Sequence, residues 1–285
     1  MNRYPEIVEE ALAKVHSGWV SVLREGLASV ERQTPGYFDD LAKDDFLPTQ
    51  GRLFAAFSQP IDSVRYVLVG EGPYPRAESA SGYCFMDAAV KELWSENGLS
   101  KPVNRATSLR NFIKMLLVAD GKITPGKTGS DAIKTVAHDA LAEHSSYIRT
   151  LEEMQQTMIN KGFLLLNASL VYRAHVSAAR ETKIWQPFLY TVLDVLAVRN
   201  RQNIEKPVLI LWGKMAEKLI SLPFAEFFDC AVSEHPFNLS FIGNQDMQAL
   251  FRPNLNLSYS FSCNTIFFTY FLESIFFSIF IKSKS

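Results

Sequence analysis

Val64-Arg65-Tyr66-Val67-Leu68-Val69-Gly70-Glu71-Gly72-Pro73-Tyr74-Pro75 is the stretch on which the fold turns. Its first half is short, apolar and β-branched, and it stops on glycine. That is the pattern of a buried strand emptying into a loop. Gly162-Phe163-Leu164-Leu165-Leu166-Asn167 and Pro207-Val208-Leu209-Ile210-Leu211-Trp212-Gly213 have the same form. A shorter fourth run, Phe228 to Ser233, precedes Glu234-His235-Pro236. Helical spacing fills the intervals at 108–120, 147–160, 186–200 and 214–221. Near-continuous apolar strands alternating with helices imply a sheet covered on both faces. The expected fold class is a three-layer α/β/α arrangement around a central four-stranded, mostly parallel sheet. In such sheets ligands bind beyond the carboxyl ends of the strands. Those ends are Gly70-Glu71-Gly72, Asn167, Gly213 and His235.

Outward from this centre, Ile7, Ala11, Val15, Trp19, Val22, Leu23, Leu27 and Val30 repeat at helical intervals. They predict one or two amphipathic helices over 6–31, ended by Thr34-Pro35-Gly36. Tyr37 to Phe57 reads as a loop with a short helix, broken at Pro48 and Gly51. The far end differs in kind. Residues 258–285 hold seven of the 21 phenylalanines, many serines, and no glycine or proline. The expected division is a domain over 1–257 and an atypical tail over 258–285. A packed helix and a membrane anchor are both open for the tail, although its apolar run is short and interrupted for a span. The abrupt change after Asn256 favours an aberrant extension.

With 285 residues, 47% of them hydrophobic and 21% charged, the chain has material for a sizeable core. A net charge of −1 does not advertise a nucleic-acid binder. Charge is uneven, however. Lys101, Arg105, Arg110, Lys114, Lys122 and Lys127 stand against Asp120 alone between 101 and 127. That is either a local phosphate-facing surface or an ordinary solvated one. Cys84, Cys230 and Cys263 share no close spacing, which argues against a disulfide framework, a zinc knuckle or an iron–sulfur site. The start, Met1 to Trp19, lacks the apolar core of a signal peptide. These features fit a reducing, cytoplasmic setting.

Five regions, in order, resemble the family 1 uracil-DNA glycosylases. That family's water-activating loop reads GQDPYH and is followed by GxxF. Here the segments are Gly70-Glu71-Gly72-Pro73-Tyr74-Pro75 and Gly82-Tyr83-Cys84-Phe85. The family's SLxN helix start resembles Ser108-Leu109-Arg110-Asn111, and its LLLNxxLxVR strand resembles Leu164 to Arg173. Its LLWGxxA strand is similar to Leu209 to Ala216, and its HPSPLS loop to His235-Pro236-Phe237-Asn238-Leu239-Ser240. Each motif alone is weak; the order and separation, over about residues 40 to 257, carry the signal.

The resemblance implies hydrolysis of the N-glycosidic bond of deoxyuridine in DNA, for base excision repair. It implies no metal or organic cofactor, and a monomer suffices. The nucleotide must leave the stack for a pocket. Its transition state pairs a cationic sugar with a departing uracil anion, so both charges need stabilising. In the uracil-binding role, Asn167 pairs with the O4 and N3–H edge, Phe85 stacks on the base, Tyr74 excludes the thymine methyl, and Gly70 belongs to the same site. His235 hydrogen-bonds O2 as negative charge grows. Leu239 wedges into the duplex, while Ser108, Ser240 and Arg76 contact the DNA backbone. Taken singly, Phe85 reads as core and His235 as a loop histidine, and Arg76 reads equally as a solvated arginine.

The family's aspartate, which polarises water and offsets the sugar cation, is Gly72 here. Pro75 replaces the loop's last histidine, as in a form similar to viral relatives. Glu71 is the available carboxylate. Family 4 enzymes carry GEAPG, with glutamate at that position, but this chain lacks their four cluster cysteines. The catalytic assignments are therefore Glu71 and His235. Glu71 reads otherwise as a surface acid or as a partner of Arg76. The competing function is an impaired or inactive protein on the same scaffold that binds DNA or another ligand.

Overall fold

The computed structural model describes residues 4–124, 127–200, 206–233 and 235–238. The tail lies outside them, as do the DNA-contact assignments at Leu239 and Ser240. Helices α1 (Glu6–Leu12), α2 (Val20–Gln33) and α3 (Tyr37–Leu41) lead into strand β1 (Tyr66–Gly70). A hairpin of β2 (Trp94–Ser95) and β3 (Gly98–Leu99) follows. Then come α4 (Lys101–Arg105), α5 (Thr107–Ala119), α6 (Ser130–Leu141) and α7 (Leu151–Asn160). Strand β4 (Phe163–Asn167), helix α8 (Ala178–Asn200), strand β5 (Val208–Trp212), helix α9 (Lys214–Leu219) and strand β6 (Asp229–Ser233) complete the described chain.

The central sheet has the order β4-β1-β5-β6, and β1 runs parallel to both its neighbours. The expected α/β/α class is therefore correct. Register places Gly70 beside Asn167, so the loop after β1 and the end of β4 share one sheet edge. Val67, Leu68 and Val69 are buried together with every residue of β4, which explains why both strands read as unbroken apolar runs.

Two differences from expectation have a simple cause. Helix α6 buries only Ile133, Val136, Ala137 and Ala140, half of them alanine, so its periodicity is faint in sequence. The β2–β3 hairpin has strands too short to show alternation at all. The segment 147–160 becomes helical only from Leu151.

The described chain forms two compact units. Among the described residues, the first comprises 4–88, 159–200, 206–211 and 217–230; the second comprises 89–124, 127–158, 212–216, 231–233 and 235–238. In the first, α2 and α8 pack so closely at Gly26 that an added Cβ would lie 2.7 Å from the Phe188 ring. Trp19 donates to the Gln59 carbonyl at 2.8 Å, and the Gln59 amide donates to the Phe163 carbonyl at 2.7 Å, tying the helices to β4. A buried ionic group sits nearby. Arg173 donates to Glu181 at 2.6 Å through Nε, and its Nη1 pairs with Asp44 at 3.2 Å. The Tyr37 hydroxyl donates to Glu181 at 2.8 Å and accepts from Trp185 at 2.8 Å. In the second unit α6 packs on the hairpin, and Phe112 of α5 meets Trp212 edge-on at 5.4 Å.

Candidate active site

The first unit brings Gly70, Glu71, Gly72, Tyr74, Arg76, Phe85 and Asn167 to the exit of β1 and β4. Two main-chain bonds hold the loop there: Ala168 N donates to the Gly70 carbonyl at 2.8 Å, and Ser169 N donates to the Glu71 carbonyl at 3.1 Å. Gly70 is required by space. A Cβ on it would lie 2.7 Å from Cys84 Cβ and 2.9 Å from Asn167 Oδ1. The loop backbone and the Asn167 amide are thus pressed together.

Asn167 is 3% exposed, and its side-chain amide makes no hydrogen bond among the described residues. Its polar atoms are not among those sealed from solvent without a partner, so the amide keeps open room for one. An amide held this way is suited to a flat ligand with complementary donor and acceptor, such as a uracil edge.

Phe85 is buried and stands in the left-handed region, with φ 61°. For a bulky residue that is a strained backbone, the kind retained where a side chain must be aimed. It follows Cys84, whose N donates to the Leu165 carbonyl at 3.1 Å and whose Sγ–H faces the Leu68 carbonyl at 3.3 Å. Burial pushes the Cys84 thiol far up, so it stays protonated and is no nucleophile. Burial also pushes the Tyr74 phenol far up, with the Asp87 carboxylate adding to the effect. Tyr74 therefore presents a neutral, half-buried ring.

Glu71 and Gly72 are both exposed. The Glu71 carboxylate makes no hydrogen bond or ion pair with the described residues. The expected alternative, a Glu71–Arg76 pair, does not form. Arg76 instead meets Asp87, which is 4% exposed, at 3.3 Å. Gly72 has open space. An added Cβ would find nothing nearer than Ser169 Cβ and its carbonyl, at 3.7 Å, and φ is outside the left-handed region.

The second unit carries Ser108 and His235. Ser108 is half-buried in the first turn of α5. Three residues on, Asn111 is 1% exposed; its Nδ2 donates to the Pro236 carbonyl at 2.6 Å, and its Oδ1 accepts from Arg110 Nε at 3.3 Å. That bond fastens the His235–Pro236 turn to α5. His235 Nδ1 accepts from Phe237 N at 3.1 Å, so in the neutral ring the proton sits on Nε2. The ring stands edge-on to Trp212 at 6.4 Å, and Gly213, with φ 53°, lets it close: a Cβ there would lie 3.1 Å from His235 Cβ. An Nε2–H donor is what an oxygen gaining negative charge needs.

Asp87, Asn111 and Phe237 were not picked out as site residues by sequence reasoning. Asn111 and Phe237 both lay inside quoted motifs, Phe237 where the motif has serine; Asp87 had no pattern to mark it.

No family model matches the chain. The crystal structure of the wild-type UNG from Nitratifractor salsuginis superposes with a TM-score of 0.76 at 31% identity, covering 99% of this chain and 100% of that one. The chain belongs to the uracil-DNA glycosylase superfamily. The enzyme named uracil-DNA glycosylase of Corynebacterium glutamicum is 27% identical over 228 residues, 79% of this chain and 81% of that protein. That of Flavobacterium johnsoniae is 26% identical over 236 residues, 80% and 86% respectively. The superfamily's motif order thus coincides with the strand ends where the structure gathers its polar residues. Among the described residues no helix is long and apolar enough to cross a membrane.

Proposed function

We propose that the protein is a DNA N-glycosylase that hydrolyses the N-glycosidic bond of deoxyuridine in DNA, with Asn167 reading the base. The observation that carries this reading is the buried, protein-unpartnered Asn167 amide pressed against Gly70. Phe85 supplies the ring on which uracil stacks, and neutral Tyr74 closes the space beside C5. His235 donates from Nε2 to O2 of the departing base, which stabilises the anion without a proton transfer at that atom. Glu71 supplies the negative charge that favours the sugar cation and orients water. Arg76, Ser108, Leu239 and Ser240 are assigned to the DNA strand, and the substrate-bound form is a monomer in the cytoplasm.

A second reading has a specific observation behind it. Gly72 carries no carboxylate and Glu71 is exposed, which suits a protein that grips uracil-containing DNA without cleaving it. The deciding experiment measures uracil release from single-stranded uracil-containing DNA at enzyme excess. The glycosylase reading expects release, abolished in Asn167→Ala, lost in Glu71→Gln and reduced in His235→Ala. DNA binding with no release at any enzyme ratio would establish the binding reading instead.

A further inference from the structure

Phe237 is the most exposed large apolar residue of the described surface, at 62%. It lies where the resembling family motif has serine. An exposed phenylalanine leaves most of its apolar area in water, and a ligand that covers it gains that burial.

Its surroundings fix what that ligand is. Pro236 and Phe237 form one short 3₁₀ turn with residue 238, and α5 packs against that turn. The turn is fastened by the Asn111–Pro236 bond of 2.6 Å, and Asn111 is itself gripped by Arg110, whose Nη1 also donates to the Asn104 carbonyl at 3.1 Å. Phe237 N is committed to His235 at 3.1 Å. Backbone and neighbours are therefore held while the ring projects. Lys101, Arg105, Arg110 and Lys114 lie on α4 and α5 of this same unit, and burial with the nearby Arg110 charge lowers the Lys114 ammonium. Helix α5 packs on the turn and carries Arg110 and Lys114, and a fixed, solvent-facing aromatic ring on a cationic helix is suited to a polyanion with exposed π-faces.

We infer that Phe237 is a base-stacking residue, whose ring covers the base next to the uracil on the same DNA strand. This rests on the glycosylase fold's DNA reading but not on catalysis. The ring takes any base, because every base has a π-face, so it adds affinity without sequence preference.

The test is a coupling cycle that needs no turnover. The ligand is a single-stranded oligonucleotide carrying 2′-fluoro-2′-deoxyuridine, whose fluorine disfavours the sugar cation and blocks cleavage. A second set has the flanking base removed on the 5′ or the 3′ side. Anisotropy gives Kd for wild type, Phe237→Ala, Phe237→Ser and Phe237→Trp. Wild type should bind about 10-fold more tightly than the Ala and Ser variants, and Trp should restore affinity. The loss should vanish on one of the two ligands lacking a flanking base. Equal affinity of Phe237→Ala and wild type overturns the inference. So does a loss of the same size on both abasic ligands, or a Trp variant as weak as Ala. A shift in melting temperature is not expected for so exposed a side chain. If wild type binds with this coupling but releases no uracil from ordinary substrate, the glycosylase reading fails and the stacking role stands.

Discussion

Replacing Gly72 by aspartate adds a second carboxylate beside Glu71, at the position where the resembling motif carries one, and the space there admits it. The first atom added, Cβ, would meet nothing closer than 3.7 Å, and φ at this position suits an L residue. The two residues before it are held by bonds from Ala168 N to the Gly70 carbonyl and from Ser169 N to the Glu71 carbonyl, at 2.8 and 3.1 Å, so a new side chain need not move that part of the loop. The site is exposed, which keeps the carboxylate ionised at neutral pH at little desolvation cost. At an effective dielectric of about 20 and a charge separation of about 5 Å, its attraction for the sugar cation is roughly 3 kcal/mol. Solvent screening at an exposed site brings this to about 1.5 kcal/mol. The expected gain in single-turnover uracil release is thus about 10-fold, with about 100-fold as the ceiling. Stability should move by no more than about 0.5 kcal/mol. The gain should disappear as pH falls through about 4, where the carboxyl takes up its proton. Gly72→Asn supplies the shape without the charge and should gain nothing. If Gly72→Asp is no faster than wild type while folding and DNA binding are unchanged, a carboxylate here is not what limits the reaction. If Gly72→Asn gains as much, charge is not the reason.

Gly70→Ala puts a methyl 2.7 Å from Cys84 Cβ and 2.9 Å from Asn167 Oδ1, and should lower stability by about 1–3 kcal/mol while abolishing uracil binding; denaturant midpoints and Kd check both. Arg173→Met strips the guanidinium from Glu181, which is 1% exposed, and should cost about 3–5 kcal/mol in the same unfolding assay. Burial, reinforced by Glu181, holds the Tyr37 phenol far above its ordinary value near 10. The native state then keeps a proton that the unfolded chain gives up, so stability is full below about pH 10 and falls as pH rises beyond it. Melting temperatures from pH 9 to 11 should fall in wild type and fall less steeply in Tyr37→Phe.

The strands were legible because a strand buried on both faces cannot hide its composition: β1, β4 and β5 read as apolar runs and are found within two residues of where those runs lie. Their parallel pairing followed from the helices between them. Asn167 and Tyr74 were legible as motif members at strand ends. What the sequence could not convey was partnership across a reversal of the chain. Arg76 was weighed against Glu71, its neighbour in sequence, but a β-bridge from Ala80 to Asp87 folds the segment back and delivers a buried aspartate instead. The left-handed backbone of Phe85 is equally silent in sequence, since no local residue preference announces it. The open room at Gly72 depends on Ser169, nearly a hundred residues away in the chain.

That room has an evolutionary reading. The loop's position is held by main-chain bonds to Ala168 and Ser169, which any residue can make, so the chemical group at 72 can change while the scaffold stays as it is. A glycine codon ending in a pyrimidine becomes an aspartate codon by one transition at its middle base. That transition is the scar left by an unrepaired cytosine deamination on the opposite strand. In a lineage short of uracil repair, the lesion itself is a source of the mutation that would supply the missing carboxylate.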